Sequence, residues 1–109
     1  VYILATIEIE PKTINLRSKG RWITCYIELP EGHDVNDIDV STVKMNNKIL
    51  AESNPTEIGD HNGNSVLDLM TKFDRTKVEV LLNATQVKLW MTCKANGKLF
   101  EGRASIKVI

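Results

Sequence analysis

The chain has 109 residues, 42% of them hydrophobic and 26% charged, which are ordinary values for one globular domain. Lys plus Arg and Asp plus Glu each number 14, so the formal net charge is zero. With no basic excess and no Lys/Arg run, neither nucleic acid nor an anionic membrane surface is an expected partner. No apolar run approaches the roughly 20 residues that span a bilayer, so the chain is not expected to be membrane-inserted. No signal peptide is visible, and the chain is strand-like by Tyr2. The reading is a single module, residues 1–109, excised from a longer protein.

In chain order, Thr6-Ile7-Glu8-Ile9-Glu10 alternates polar with apolar and stops at Pro11, the pattern of an edge strand. Ile14-Asn15-Leu16 resumes briefly, and Ser18-Lys19-Gly20 reads as a turn. Trp22 to Leu29 is the clearest strand: Ile23, Cys25, Ile27 and Leu29 share one face, and Trp22, Thr24, Tyr26 and Glu28 the other. Asp34-Val35-Asn36-Asp37-Ile38 reads as a single helical turn with Asp34 as its N-cap. Val43-Lys44-Met45 and Lys48-Ile49-Leu50 flank an Asn46-Asn47 hairpin turn, and 51–58 reads as irregular. Leu69 to Phe73 is a strand. Asp74 can cap a short helix through Leu82, with Val78, Leu81 and Leu82 on its buried face. Gln86 to Lys94 alternates again, Asn96-Gly97 is a strong hairpin signal, and Lys98-Leu99-Phe100 and Ala104 to Val108 close the domain.

Short strands punctuated by turn signals predict an all-β fold, an antiparallel β-sandwich of about seven strands with one or two short helical turns. A fibronectin-like strand order fits the same alternation. The expected core is Ile7, Ile9, Leu16, Ile23, Cys25, Ile27, Val43, Leu69, Val87, Leu89, Met91, Ile106 and Val108.

The segment Asp60-His61-Asn62-Gly63-Asn64-Ser65-Val66-Leu67-Asp68 has the rhythm of a calcium loop, with oxygen side chains at its first, third, fifth and ninth positions. Asn replaces Asp twice, Ser65 stands where the sharp turn favours Gly, and Thr71 stands where a bidentate Glu closes an EF-hand loop. Two readings follow. Asp60, Asn62, Asn64 and Asp68 hold Ca2+ weakly, or the loop is a polar turn in which Asp and Asn bond their own backbone and Gly63 supplies positive φ.

Several segments together resemble a repeat module of secreted and cell-surface proteins of archaea and bacteria, one that often stands beside domains of the polycystic-kidney-disease (PKD) type or dockerins. They are Thr6 to Pro11 with Ile14 to Gly20, Ile23 to Leu29, Asp34 to Asp39 with Ser41 to Val43, Asp60 to Leu69, and Lys72-Phe73-Asp74-Arg75. The resemblance covers most of the chain. It implies an Ig-like extracellular spacer or contact module with no enzymatic activity and no required cofactor. Its partners would be neighbouring domains, glycans or surface proteins. It names no ligand.

Cys25 and Cys93 fall on inward positions of an early and a penultimate strand, 68 residues apart. A disulfide closing that loop is worth about 4 kcal/mol in the chain-entropy model. The alternative is two buried thiols. Trp22 and Tyr26 lie on one strand face about 13 Å apart at the usual rise. They form a candidate carbohydrate or protein contact if exposed, and Trp90 shares their outward character on another strand. His33 and His61 read as plain surface residues. Asn83-Ala84-Thr85 fits the N-glycosylation pattern. No Cys-x-x-Cys, His-x-x-x-His or Gly-x-Ser-x-Gly occurs.

Overall fold

The structure, a computed structural model, describes residues 2–18 and 20–109. Val1 lies outside the described residues, as does Lys19, the middle of the expected turn at 18–20. Ten strands form two packed sheets. One runs β1 (Ile3–Leu4), β10 (Lys98–Val108), β9 (Gln86–Ala95), β5 (Ile38–Met45), β6 (Ile49–Leu50), with β3 (Thr13–Ile14) also paired to β10. The other runs β2 (Thr6–Glu10), β4 (Trp22–Glu28), β8 (Asp68–Asp74), β7 (Glu52–Gly59). The all-β sandwich is therefore as expected. Three of the additional strands are two-residue pieces, and two of these, β1 and β3, pair with β10 in parallel.

The elements follow from local chemistry. Alternation along β4, β8, β9 and β10 puts one set of side chains between the sheets. Asn46 and Asn47, at φ 51° and 57°, make the β5–β6 turn. Asn96 and Gly97, at 52° and 76°, make the β9–β10 turn. A 3-10 turn, Val35–Asp37, begins at Asp34, whose side chain accepts from the Asn36 amide. The helix α1 (Arg75–Glu79) begins at Asp74, whose carboxylate accepts from the Thr76 amide at 2.9 Å. The Thr76 hydroxyl holds the Asp74 carboxyl below its ordinary value, so this cap stabilises the fold above about pH 4 and is lost as the pH falls through the lowered value.

The core contains every expected residue except two. Leu16 is 48% exposed because it stands at the end of its segment, opposite Ile109, whereas Ile14 is fully buried. Val87 is only partly buried. Phe73 and Phe100, one from each sheet, are fully buried and were not among the expected core residues. The segment expected to be irregular is instead the edge strand β7, whose pairing with β8 shifts register between Glu52 and Glu57, around Pro55. Pro is tolerated there because an edge strand has unpaired backbone groups. The helix stops at Glu79, short of Leu82, but Val78 and Leu82 are buried as expected. Buried Arg75 ties this corner together: it donates to the Asn15 carbonyl at 2.9 Å and pairs with Glu79 at 3.2 Å.

A close approach to backbone occurs at Gly102, on the inward face of β10. A Cβ there would lie 2.7 Å from a methyl carbon of Ile7 and 2.8 Å from the carbonyl oxygen of Ala5. Phe73→Ala is expected to cost about 3–5 kcal/mol in denaturant unfolding, whereas Leu16→Ala should change stability by less than about 0.5 kcal/mol. Equal costs at the two positions would contradict this assignment of the core.

Candidate functional site

The connection between β7 and β8, residues 60–67, is polar and bonded to itself through its Asp and Asn side chains. Asp60 accepts from the amides of Asn64, at 3.1 Å, and Ser65, at 2.8 Å. Asn62 Oδ1 accepts from the Asn64 amide at 3.2 Å, and Asn64 Oδ1 from the Val66 amide at 2.9 Å. These are the Asx bonds of a polar turn. Gly63 adopts φ 74°, and Ser65 itself takes φ 68°, so the sharp bend forms without Gly at that position.

Asn64 also reaches across to the neighbouring strand. Its Nδ2 donates to Glu28 Oε1 at 2.7 Å. The loop therefore folds over the outer face of the β2–β4–β8–β7 sheet rather than standing away from it.

The anchor of this arrangement is Asp68. Its position in β8 faces outward with Met70 and Lys72, yet its side chain is only 2% exposed. The cover is the loop. Asp68 Oδ2 accepts from the His61 backbone amide at 3.1 Å, and Oδ1 bonds the His61 ring at Nδ1. The other ring nitrogen, Nε2, lies 3.7 Å from Glu57. The imidazole rests on Tyr26, with ring centroids 4.9 Å apart and planes tilted by 35°. His61 lies at the surface, as expected, but its side chain, 20% exposed, is engaged and is the latch of the loop. His33 is likewise engaged, edge-on against Phe100 at 5.0 Å. Burial, and after it the nearby carboxylates of Glu10, Asp68, Glu8 and Glu57, raise the Tyr26 phenol above its ordinary value.

These facts bear on calcium. Asp60 has its oxygens aimed into the loop, and a carboxylate that accepts one bond per oxygen keeps lone pairs for a cation. Asp68 is turned to His61 instead. An ion in this loop would draw on Asp60, on amide and backbone oxygens, and on Asp68 only if it left the imidazole. Among the described residues no group of three or more His, Cys, Asp or Glu is placed to hold a metal.

The aromatic pair does not form an open platform. Tyr26 is capped by His61, and Trp22 carries the Arg21 guanidinium 4.7 Å above its ring. Trp90 lies in the opposite sheet, as expected. It borders an open cleft of about 350 Å³ with Tyr2, Asn47, Thr92, Glu101 and Arg103. Cys25 and Cys93 lie inward on β4 and β9, in opposite sheets, and both thiols are free and buried. Desolvation raises both, Cys93 to about 11 and Cys25 further, with the neighbouring Cys93 adding to the effect on Cys25. Asn83 and Thr85 of the glycosylation pattern are exposed, between α1 and β9.

No protein-family model, no curated protein and no solved structure matches this chain.

Two outcomes test the site. His61→Ala should cost about 1–3 kcal/mol, because it leaves a buried carboxylate short of a partner, and should open the bonds at 60–67 to limited proteolysis. His61→Phe should keep the stack on Tyr26 but not the stability. A neutral His61→Ala would contradict the latch. For the thiols, dithionitrobenzoate at pH 8 is expected to find none reactive in the native protein and two after unfolding in guanidinium. Fast native reaction would contradict their burial, while none after unfolding would report the Cys25–Cys93 bridge.

Proposed function

We propose that this chain is a non-catalytic structural module of a secreted or cell-surface protein, of the Ig-like or fibronectin-like repeat type that its sequence resembles. It spaces and stiffens the domains beside it. The observation that carries this reading is the seam between the N-terminal segment and β10. The chain enters the sandwich beside Phe100, where Ile3 pairs, and leaves beyond Val108, where Ile14 pairs. Those points are about 26 Å apart at the usual strand rise.

Along the seam the Ala5 amide donates to the Glu101 carbonyl at 2.8 Å, and Lys107 donates to Lys12 at 2.9 Å. Ile109 donates to Ile14, and Leu16 to Ile109, both at 2.9 Å. Because the strands are parallel, tension applied at the two ends slides them in opposite directions and strains these bonds together. An antiparallel hairpin pulled open at one end would lose them one at a time. A module with this geometry resists extension along its long direction, which is what a spacer under tension requires.

The 60–67 loop fits the same role. A weakly held Ca2+ at Asp60, Asn62 and Asn64, with Asp68 released to it, would rigidify the longest polar connection by binding only the folded state. A second reading, a carbohydrate- or protein-contact module, is favoured at Trp90 and its cleft rather than at Trp22 and Tyr26, whose faces are taken.

Force spectroscopy of tandem copies tests the main reading. Ala5→Pro removes the donor to Glu101 and should lower the end-to-end unfolding force, while equilibrium stability falls by only about 1 kcal/mol. An unchanged force would remove the support for this role. For calcium, the thermal midpoint in millimolar calcium should exceed that in chelator by a few degrees. The restored-carboxylate variant Asn62→Asp/Asn64→Asp should widen the gap. No gap in either protein assigns the loop to a polar turn.

A further inference from the structure

A net charge of zero conceals a sorting of charge by sheet. On the outer face of the β1–β10–β9–β5–β6 sheet stand Lys44, Lys88, Lys94, Arg103 and Lys107, all exposed. Among the described outward strand positions of this face the acidic residues are Asp39 and Glu101, and Glu101 is already paired with Arg103 at 3.0 Å. The outer face of the other sheet is the reverse. Glu8 and Glu10 lie on β2, Glu28 on β4, and Glu52 and Glu57 on β7. Two lysines lie among them: Lys72 stands opposite Glu52 and donates to Thr24, and Lys12 pairs with Glu8 at 3.7 Å.

The basic face has an aromatic centre inside its charged surround, and the acidic face a tyrosine covered by the His61 ring. On the basic face Trp90 is half-buried, with Arg103 as its cross-strand partner and Asn46 bonded to its amide. On the acidic face one row runs Glu8, Tyr26, Met70, Glu57 across three neighbouring pairings, and the His61 ring lies on Tyr26. An aromatic centre with a polar rim is the anatomy of a protein–protein contact. The molecule measures 40 × 29 × 23 Å. The shortest extent matches two sheets about 10 Å apart with side chains on both outer faces. Each face then has room for the roughly 800 Å² per partner that a standard interface buries.

From these observations we infer that the two faces are complementary halves of one interface, and that the basic face of one copy docks on the acidic face of a second copy of this chain. Like faces repel and unlike faces attract, so the contact is heterologous. Each pair leaves one face of each sign unused, and the association extends as a stack rather than closing as a dimer. Charge complementarity of this kind sets register and encounter rate more than affinity. The association is therefore weak between free copies, strongly salt-dependent, and favoured where copies are held close together. It holds whether or not the module bears tension.

The test is sedimentation velocity on the 109-residue chain, over a concentration series, at about 20 mM and about 500 mM salt, where the Debye length shortens several-fold. Wild type is expected to show a sedimentation coefficient that rises with concentration at low salt and does not at high salt. The variant Lys44→Glu/Lys88→Glu/Lys94→Glu, acidic on both faces, should be monomeric alone. So should Glu8→Lys/Glu10→Lys/Glu57→Lys, basic on both faces. Mixed in equal amounts, the two should associate again. If a reversal disturbs folding, as read by circular dichroism, the corresponding Gln substitutions replace it and should each abolish association. A monomeric wild type at low salt would overturn the inference, as would association that survives reversal of either face or a mixture that fails to associate. Heparin binding to a wild-type chain that does not self-associate would also overturn it, reassigning the basic face to an anionic polymer.

Discussion

The long last strand is the constraint on which the rest depends. β10 is bonded on one side to β9 through a full antiparallel ladder and on the other to the N-terminal segment in parallel. Chain positions nearly a hundred residues apart are thereby held side by side, and β2, which belongs to the other sheet, is brought across to pack on β10. Gly102 is where this becomes tightest. With Ile7 and the Ala5 carbonyl within 3 Å of where a Cβ would be, no larger residue fits unless the two sheets move apart. The buried side chains of both sheets, including Phe73 and Phe100, fill the space between the sheets.

The outer faces are free to carry other properties because the interior is satisfied by the inward residues alone. Among the described residues no buried side-chain nitrogen or oxygen lacks a partner. The deeply covered carboxylate, Asp68, has each of its oxygens bonded by the loop that covers it. Within that loop Asx bonds hold the bend, and an imidazole is bonded to its last acidic residue. A cation and the imidazole would compete for the same carboxylate, which weakens any ion site there and makes His61 the residue that sets its strength.

Much of the fold was legible in the sequence, because alternation and turn chemistry are local. Thr6 to Glu10, Trp22 to Glu28 and Gln86 to Ala95 carry a period of two, and Asn46-Asn47 and Asn96-Gly97 adopt the positive φ that the residue types favour. Asp34 and Asp74 cap the turns they precede. Three things were not legible. β7 contains Pro55 and a register shift, so its alternation is broken. His61 meets Asp68 only because the loop folds back on the sheet. The separation of charge depends on which residues of each strand face outward and on which strands share a sheet, and a balanced composition hides it. Leu16 was missed for a simpler reason: it shares its strand face with Ile14, but it stands at the last bond of the seam, opposite Ile109, where its side chain is exposed.

The seam joining residues 5–16 to β10 is the central claim, and native-state hydrogen exchange followed by NMR tests it most directly. The amides of Ala5, Leu16, Lys107 and Ile109 are the donors of the seam. If the seam is an integral part of the sandwich, Ala5 and Lys107 should exchange only through global unfolding, with the protection seen for Leu89 and Met91 in the centre of β9. Exchange of Ala5 and Lys107 at the rates of the exposed 60–67 loop would show that the N-terminal segment frays from β10, and would contradict the account.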